Sequence, residues 1–309
     1  MPDRRILIFG RMGQVGWELR HKLACLGDVV AVEYPDVDFT KPDSLRSVVR
    51  AQKPTVIVNA AAYTAVDKAE AEPELAMAIN GTAPGVLAEE ARQTGALLVH
   101  YSTDYVFNGS GQRAWLETDS PAPINVYGKT KLAGDEVIQA SGCEYLIFRT
   151  SWVYGARGNN FLLTMLRLAR ERRELSIVDD QIGAPTSSEC IAQATAHVLS
   201  QVLAPLGSGI KGRTGVYNLI NTGETSWYGF AEALLTHANA VWRVPVPQLV
   251  AINTSAFPRP AARPANSRLS GQRLAETFGV KMPHWKEALS LVLETLADGV
   301  APIQPIVGN

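Results

Sequence analysis

Short apolar runs alternate with segments of helical period along the first half of the chain. Each run is followed by a stretch in which apolar residues recur at three- and four-residue spacing. Continuous apolar strands separated by helices predict a parallel sheet that is covered on both faces. We predict strands at 6–9, 29–32, 55–58, 96–100 and 145–148, and helices at 14–25, 44–51, 73–94 and 126–140.

After residue 150 this alternation becomes less regular. Helices are predicted at 160–173, 188–203, 226–239 and 285–297, the third capped by Ser226. The stretches 204–215 and 245–264 are rich in proline and glycine and are expected to be irregular. We therefore expect a doubly wound, Rossmann-like α/β domain at 1–150 and a smaller, mainly C-terminal α/β substrate domain at 151–309, with segments near 187–220 returning to the first domain.

Composition narrows the class of protein. Hydrophobic residues make up 46% of the chain and the net charge is −1, so the chain can fill a core and lacks the basic balance of a nucleic-acid-binding protein. We find no apolar run near the ~20 residues that cross a membrane, and the apolar run before Gly10 is too short for a signal peptide. The three cysteines match neither a disulfide framework nor a metal knuckle. A cytoplasmic protein with no nucleic-acid or membrane partner is expected.

A glycine-rich turn follows the first predicted strand and opens the first predicted helix. Gly10, Gly13 and Gly16 are spaced three apart, which would let a pyrophosphate approach the helix N-terminus. This position in an alternating chain predicts dinucleotide binding. Glu33 ends the second strand, where an acid binds the adenosine ribose of NAD, whereas Arg11 in the turn could meet the 2′-phosphate of NADP. The choice between NADH and NADPH stays open.

Two further segments carry candidate catalytic residues. Tyr127 and Lys131 are four apart in a predicted helix and therefore lie on one face. Reduction of a ketone needs a proton on oxygen, and a lysine one turn from a tyrosine is predicted to lower the pKa of the phenol. Ser102 and Thr103 lie at the end of the fourth strand, where open parallel sheets bind ligands. Spacing alone does not choose between these two hydroxyls.

Together these motifs resemble the extended short-chain dehydrogenase/reductase superfamily and, within it, the family of dTDP-4-dehydrorhamnose reductases. The resemblance rests on the segments HYSTDYVFNG (100–109) and NVYGKTKLAGD (125–135) and on five others, at 9–19, 58–70, 148–155, 179–186 and 263–269. It extends over nearly the whole chain. It implies an NADPH- or NADH-dependent reduction of the C4 ketone of dTDP-4-dehydro-L-rhamnose, a step of dTDP-rhamnose synthesis.

The resemblance also implies roles for individual residues. The catalytic residues would be Thr103, Tyr127 and Lys131, which selects Thr103 over Ser102. Asp104 and Trp152 would contact the sugar, although a tryptophan after a strand is also a common core residue. The residues implied for the cofactor are those of the glycine turn, then the ribose and adenine positions, then the segment after the third strand: Gly10, Gly13, Gln14, Val15, Gly16, Glu33, Asp38, Phe39, Ala62, Tyr63 and Thr64, besides Tyr127 and Lys131.

Some members of the resembled family form homodimers with Mg²⁺ held by glutamates at the interface. Glu18 and Glu189 fall at matching positions, and the third acid, Glu294, is displaced by one residue. Exposed helix glutamates with no metal are the alternative. Arg263 and Arg268 are candidates for a substrate diphosphate or for anchoring their loop.

Three other functions belong to the same superfamily. A 4,6-dehydratase is disfavoured because Tyr105 stands where such an enzyme has a glutamate. An epimerase would show no net consumption of cofactor. A non-catalytic subunit, like the regulatory subunit of methionine adenosyltransferase, would copurify with a larger enzyme and show no turnover. Arginines at 167, 170, 172 and 173 alternate with glutamates and indicate a solvated helix face.

Overall fold

The computed structural model describes residues 4–204 and 209–299. Its centre is a six-stranded sheet in the order β10-β5-β4-β3-β1-β2, in which all neighbouring strands are parallel. The described residues form the following strands, some of them in smaller sheets outside the centre: β1 (Arg5–Phe9), β2 (Asp28–Val32), β3 (Val56–Asn59), β4 (Leu97–Thr103), β5 (Tyr145–Thr150), β6 (Val153–Tyr154), β7 (Glu174–Val178), β8 (Ile182–Gly183), β9 (Thr186–Ser187), β10 (Gly215–Asn218), β11 (Thr225–Ser226), β12 (Gln248–Ile252) and β13 (Asn266–Ser267).

Helices cover both faces of this sheet. The described residues form the helices α1 (Gln14–Lys22), α2 (Pro42–Gln52), α3 (Val66–Ala69), α4 (Pro73–Met77), α5 (Ala83–Thr94), α6 (Val126–Ala140), α7 (Phe161–Glu171), α8 (Ser188–Val202), α9 (Trp227–Trp242), α10 (Gln272–Phe278) and α11 (Trp285–Gly299), of which α7, α9 and α11 pack outside this sheet. Short 3₁₀ turns lie at Asp104–Val106 and Thr254–Ala256. The Rossmann-like α/β fold expected from the alternation is therefore confirmed.

The side-chain alternation of β1 shows how the core forms. Ile6 and Ile8 join a cluster with α1 and α8 on one face, while Leu7 and Phe9 join a cluster with α2 and α5 on the other. All four side chains are fully buried. A strand in the middle of a covered sheet buries both faces, which explains its continuous apolar run.

A third apolar cluster lies outside the central sheet, within the segment after residue 150. It is built from α7, α9 and α11 together with β7 and β12, which pair in parallel. The strand β12 contradicts the irregular structure predicted for 245–264: Leu249 packs on this cluster although prolines surround it in sequence. The central sheet takes its last strand, β10, from beyond residue 200. The exact division into domains stays a prediction.

The helix predicted over 73–94 is interrupted. A π-helical turn at Ala78–Thr82 separates α4 from α5. Pro84 has no N–H to donate to the carbonyl of Asn80, so the regular helical ladder cannot continue there. Other predicted helices agree within a few residues, and α6 has the predicted bounds.

Candidate active site

The glycine turn brings three backbone segments together. Gly10 has φ +90°, and a Cβ on it would lie 2.7 Å from the backbone nitrogen of Ala61, so glycine is required there. A Cβ on Gly16 would overlap the Gly10 carbonyl oxygen. These two glycines bring the start of α1 close to the carboxyl ends of β1 and β3.

The N-terminus of α1 fits an anionic group. Gly13 is the N-cap residue and provides no side-chain cap for the first N–H groups of the helix. A Cβ there would meet only the Gly10 carbonyl oxygen, at 3.4 Å, so the turn is open to close approach. Uncapped N–H groups and the helix dipole together suit a pyrophosphate. These residues therefore fit the dinucleotide that the sequence predicts.

The residues predicted to bind the adenosine lie beside this turn. Glu33 accepts hydrogen bonds from the backbone N–H groups of Met12 (3.4 Å) and Tyr34 (3.3 Å), which place its carboxylate at the glycine turn. Arg11 pairs with Asp36 at 3.3 Å. This salt bridge gives Arg11 a carboxylate partner of its own, distinct from Glu33.

Asp38 and Phe39 follow β2. Hydrogen bonds from the Thr40 hydroxyl and N–H hold the pKa of Asp38 below its ordinary value. Phe39 packs edge-on against Phe9 of β1, with 5.7 Å between ring centres. The contact of Asp38 and Phe39 with adenine stays a prediction.

The π-helical turn positions the segment after β3. Asn80 lies in this turn, and its Oδ1 accepts the N–H of Tyr63 at 2.8 Å. Its Nδ2 donates to the Tyr63 carbonyl at 3.0 Å and to the Thr130 hydroxyl at 3.2 Å. Asn80 thereby ties Tyr63, which lies between Ala62 and Thr64, to helix α6, which carries Tyr127. Asn80 could not be predicted from the sequence, because its side chain reaches Tyr63 only through the π-helical turn that interrupts the helix.

A cleft of about 1130 Å³ runs from the glycine turn to the segment after residue 150. Thr103, Asp104, Tyr127 and Trp152 line the same cleft as Gln14 of the glycine turn, so the structure brings these predicted residues together. Several cleft-lining residues were not predicted: Asp67, Tyr105, Phe161, Gln181, Trp227, Phe257 and Arg259.

Thr103 and Asp104 lie at the carboxyl end of β4. The Thr103 hydroxyl donates to Asp104 Oδ1 at 3.0 Å and accepts the Tyr105 N–H at 3.1 Å. Ser102 instead points at Asp135, 2.8 Å away, and both of these side chains are buried. Burial raises the pKa of Asp104 to about 7, against the hydrogen bonds that stabilise its charged form.

Tyr127 is half-buried, with its ring edge-on to Tyr105 at 5.6 Å. Its pKa is raised, first by removal from water and then by the charge of Asp104, while hydrogen bonding to Thr103 opposes the rise. The prediction that Lys131 lowers this pKa is wrong for this arrangement. The Lys131 amine is directed away, to the Tyr101 carbonyl at 2.6 Å and to His100 Nε2 at 3.0 Å.

Two stacked indoles form one wall of the cleft. Trp152 has φ +48° and stacks on Trp227 with 3.7 Å between ring centres. Gly183 accommodates it, because a Cβ there would lie 2.8 Å from Trp152 Cε2. Sequence spacing could not pair two tryptophans that are 75 positions apart.

The two candidate phosphate-binding arginines are paired with carboxylates. Arg263 donates to Asp67 at 2.9 Å, which ties its loop to the segment after β3. Arg268 donates to Glu224 at 2.6 Å. Of the two, Arg263 lines the cleft.

The predicted magnesium ligands do not form a metal site within one chain. Lys22 donates to Glu189 at 2.7 Å, and burial followed by the charge of Glu189 raises the pKa of Glu18. Within residues 4–204 and 209–299, no group of three or more His, Cys, Asp or Glu side chains could hold a metal ion. Glu294 is exposed on α11. An ion shared between two copies stays a prediction.

Solved structures of known proteins share this architecture. The dTDP-4-dehydrorhamnose reductase of Bacillus anthracis, in complex with NADP, superposes with a TM-score of 0.86 at 35% identity, covering 95% of this chain and 99% of that one. The UDP-glucose 4-epimerase of Thermus thermophilus in complex with NAD has a TM-score of 0.78 at 19% identity, covering 96% and 100%, and shows the fold alone. Fold and site define a Rossmann-type oxidoreductase of the extended short-chain dehydrogenase/reductase superfamily.

Sequence comparison narrows this class to one family. The family model described as the RmlD substrate binding domain matches residues 4–298. The dTDP-4-dehydrorhamnose reductase of Burkholderia thailandensis is 48% identical over 299 residues, covering 94% of this chain and 99% of the relative. That of Escherichia coli K12 is 46% identical over 296 residues, covering 94% and 97%. The chain belongs to the dTDP-4-dehydrorhamnose reductase family, as its motifs predict.

No helix among residues 4–204 and 209–299 combines the length and the apolar character that crossing a membrane requires.

Proposed function

We propose that this chain reduces the C4 ketone of dTDP-4-dehydro-L-rhamnose to the hydroxyl of dTDP-L-rhamnose, with NADPH or NADH as reductant. One observation carries the proposal: Thr103 and Tyr127 line the cleft that begins at Gln14 of the glycine turn. A proton donor and a second hydroxyl therefore share one space with the predicted dinucleotide site. The names of relatives that are 46–48% identical to the chain support the choice of substrate.

The cofactor would lie along the carboxyl ends of β1, β2 and β3. When bound, the reduced nicotinamide supplies the hydride that C4 receives. The glycine turn and the start of α1 would hold the pyrophosphate, Glu33 the ribose, and Asp38 with Phe39 the adenine. Tyr63, fixed by Asn80, would line the remainder of the site together with Ala62 and Thr64.

Tyr127 would give its proton to the C4 oxygen. A raised pKa keeps the phenol protonated at neutral pH, which is the form that a proton donor needs in the direction of reduction. The Thr103 hydroxyl, which donates to Asp104 in the structure, would turn its one hydrogen to the same oxygen and align it with Tyr127. In its charged form, Lys131 would hold the cofactor ribose by donating hydrogen bonds to its hydroxyls.

The second half of the cleft would bind the sugar and the dTDP group. Asp104 and the indole of Trp152 would contact the deoxyhexulose. Phe161, Trp227 and Arg259 line the same cleft, and the nucleotide would lie among them. Binding energy from this distant group can then position C4 for reaction.

The test is reduction of the dTDP-4-keto sugar, followed by nicotinamide absorbance with NADH and with NADPH in separate reactions. Tyr127→Phe should lose at least about 10²–10⁴-fold in turnover while still binding cofactor, because it removes the proton donor. Tyr154→Phe is the matched control: it also removes a buried phenol hydroxyl, one without a hydrogen-bond partner among the described residues, outside the cleft lining.

Near-wild-type turnover in Tyr127→Phe would reject the assignment of the proton donor. Interconversion of sugars without net oxidation of cofactor would instead indicate an epimerase. Copurification with a larger enzyme, together with no turnover, would indicate a regulatory subunit. The cytoplasmic location, the homodimer and the strictness for dTDP stay predictions.

A further inference from the structure

A fully buried histidine connects Lys131 to the neighbouring strand. His100 lies in β4 and is in register with Asn59 of β3. Its Nε2 is 3.0 Å from Lys131 Nζ, and its Nδ1 is 3.1 Å from Asn59 Nδ2. Both ring nitrogens therefore have a polar partner in a strand interior where an unpaired polar group would be costly.

The backbone at Ala61 sets the direction of these hydrogen bonds. Asn59 Oδ1 accepts the Ala61 N–H at 3.2 Å, which turns the amide nitrogen of Asn59 toward His100. An amide nitrogen only donates, so His100 Nδ1 must accept. A neutral imidazole carries one N–H, and here that hydrogen is on Nε2, facing Lys131.

This tautomer has a consequence for the lysine. An ammonium group has donors but no acceptor, so a charged Lys131 would oppose its hydrogens to the Nε2–H of His100. A neutral amine can accept that N–H and still donate to the Tyr101 carbonyl, 2.6 Å away. The arrangement of His100 and Asn59 therefore favours the amine over the ammonium.

Other groups around Lys131 shift its pKa in opposite directions. Burial lowers the pKa of Lys131 to about 8, while the charge of Asp135 on the same helix opposes this. Asp135 is itself paired with Arg149 of β5, and Tyr127 lies one turn away on α6. Burial, and then the charge of Lys131, lower the pKa of His100 well below its ordinary value, which keeps the ring neutral.

We propose that His100 is a positioning residue: with its tautomer held by Asn59, it favours the uncharged form of Lys131 and thereby sets the pH range in which the lysine is charged beside Tyr127. The proposal rests on the proposed function only for the role of Lys131 in the reaction. The hydrogen-bond pattern itself is independent of substrate.

The direct test is long-range ¹H–¹⁵N NMR of the histidine rings in the full chain without ligands. The chain has five histidines, and the signal missing from His100→Phe identifies the ring. At pH 7 we expect a neutral ring with hydrogen on Nε2 and a bare Nδ1. Hydrogen on Nδ1, or a doubly protonated ring, would overturn the proposal even if every variant at this site failed to fold.

Asn59→Asp provides the second arm. Its carboxylate can accept from both the Ala61 N–H and Nδ1–H, so the hydrogen should move to Nδ1 and Nε2 should accept from an ammonium. The pH at which the His100 ¹⁵N shifts report titration of Lys131 should rise by about one unit or more, as should the corresponding limb of the pH–rate profile. Asn218→Asp, a fully buried asparagine of the same sheet, is the control and should leave the His100 tautomer unchanged.

If Asn59→Asp moves the His100 hydrogen to Nδ1 but leaves the pH of the Lys131 titration unchanged, the His100 tautomer does not set the pKa of Lys131. That result would reject the proposal. The NMR measurements need no substrate. A failure to reduce the dTDP-4-keto sugar would therefore count against the proposed function, and an unexpected tautomer would count against this inference.

Discussion

The buried carboxyl of Asp104 should make the protein less stable as the pH rises. Asp104 is 3% exposed, and burial raises its pKa to about 7 from an ordinary 3.8. A carboxyl whose pKa is higher in the folded state binds its proton more tightly there. This tighter proton binding contributes favourably to the free energy of unfolding. The contribution is fully present below pH 3.8, declines between pH 3.8 and about 7, and is absent above that.

The size of the effect follows from the same two values. Each pH unit between them lowers the free energy of unfolding by about 1.4 kcal/mol, so the full change is about 4 kcal/mol. Between pH 5 and pH 8 the expected part is about 2.5 kcal/mol. Asp104→Asn keeps the shape of the side chain and removes the titration.

The assay is urea unfolding of the wild type and of Asp104→Asn, each at pH 5 and at pH 8. The unfolding free energy of the variant is compared with that of the wild type at each pH. The difference in unfolding free energy between the two proteins should shift by about 2.5 kcal/mol in favour of the variant at the higher pH. Asp43→Asn, with a side chain 98% exposed on α2, controls for the substitution itself. A difference that is the same at both pH values would refute the reasoning.

Three further predictions concern stability, cofactor and metal. Asp135→Leu should lower the unfolding free energy by about 3–5 kcal/mol because it leaves Arg149 buried and unpaired, whereas adding Arg149→Met should recover most of the loss; equal urea midpoints for the single and double variants would contradict this. Glu33→Ser should shift the ratio of kcat/KM for NADPH over NADH upward by at least about tenfold, since it removes a carboxylate that would repel a 2′-phosphate; an unchanged ratio would mean that Glu33 does not face the ribose. Removal of Mg²⁺ with a chelator should leave the sedimentation coefficient unchanged, because Lys22 already pairs with Glu189; dissociation on chelation that added Mg²⁺ reverses in the wild type but not in Glu18→Gln would instead support the predicted interfacial magnesium site.

The parts of the fold that follow local sequence rules agree with prediction. The five apolar runs became β1 to β5. The strands β1, β3, β4 and β5 are buried on both faces of the covered sheet, whereas the edge strand β2 is half-buried and only Val32 at its end joins the core. Helix α6 has its predicted bounds, and its N-cap Asn125 accepts the Gly128 N–H at 2.7 Å. Ser226 likewise caps α9, accepting the Gly229 N–H at 2.9 Å.

The parts that depend on distant contacts were not predictable. Strand β12 forms only because β7 pairs with it across more than 70 positions of sequence. The π-helical turn follows from Pro84, but the contacts of Asn80 with Tyr63 and Thr130 require the folded chain.

Within the site, residue types and order predicted which side chains would meet, while their charges and hydrogen bonds needed the structure. Tyr127 and Thr103 share the cleft as expected. The expected influence of Lys131 on Tyr127 was wrong, because His100 and the Tyr101 carbonyl, both on β4, hold the lysine. Sequence spacing says which helix face carries Lys131 but not which strand atoms lie opposite it.

The most direct measurement of the proposed reaction is the fate of the transferred hydrogen. Wild-type protein, dTDP-4-dehydro-L-rhamnose and nicotinamide cofactor deuterated at the hydride position should give dTDP-L-rhamnose with one deuterium, located at C4 by NMR, and Tyr127→Phe should form almost none in the same time. Deuterium at another carbon, or a product without deuterium, would contradict hydride reduction at C4.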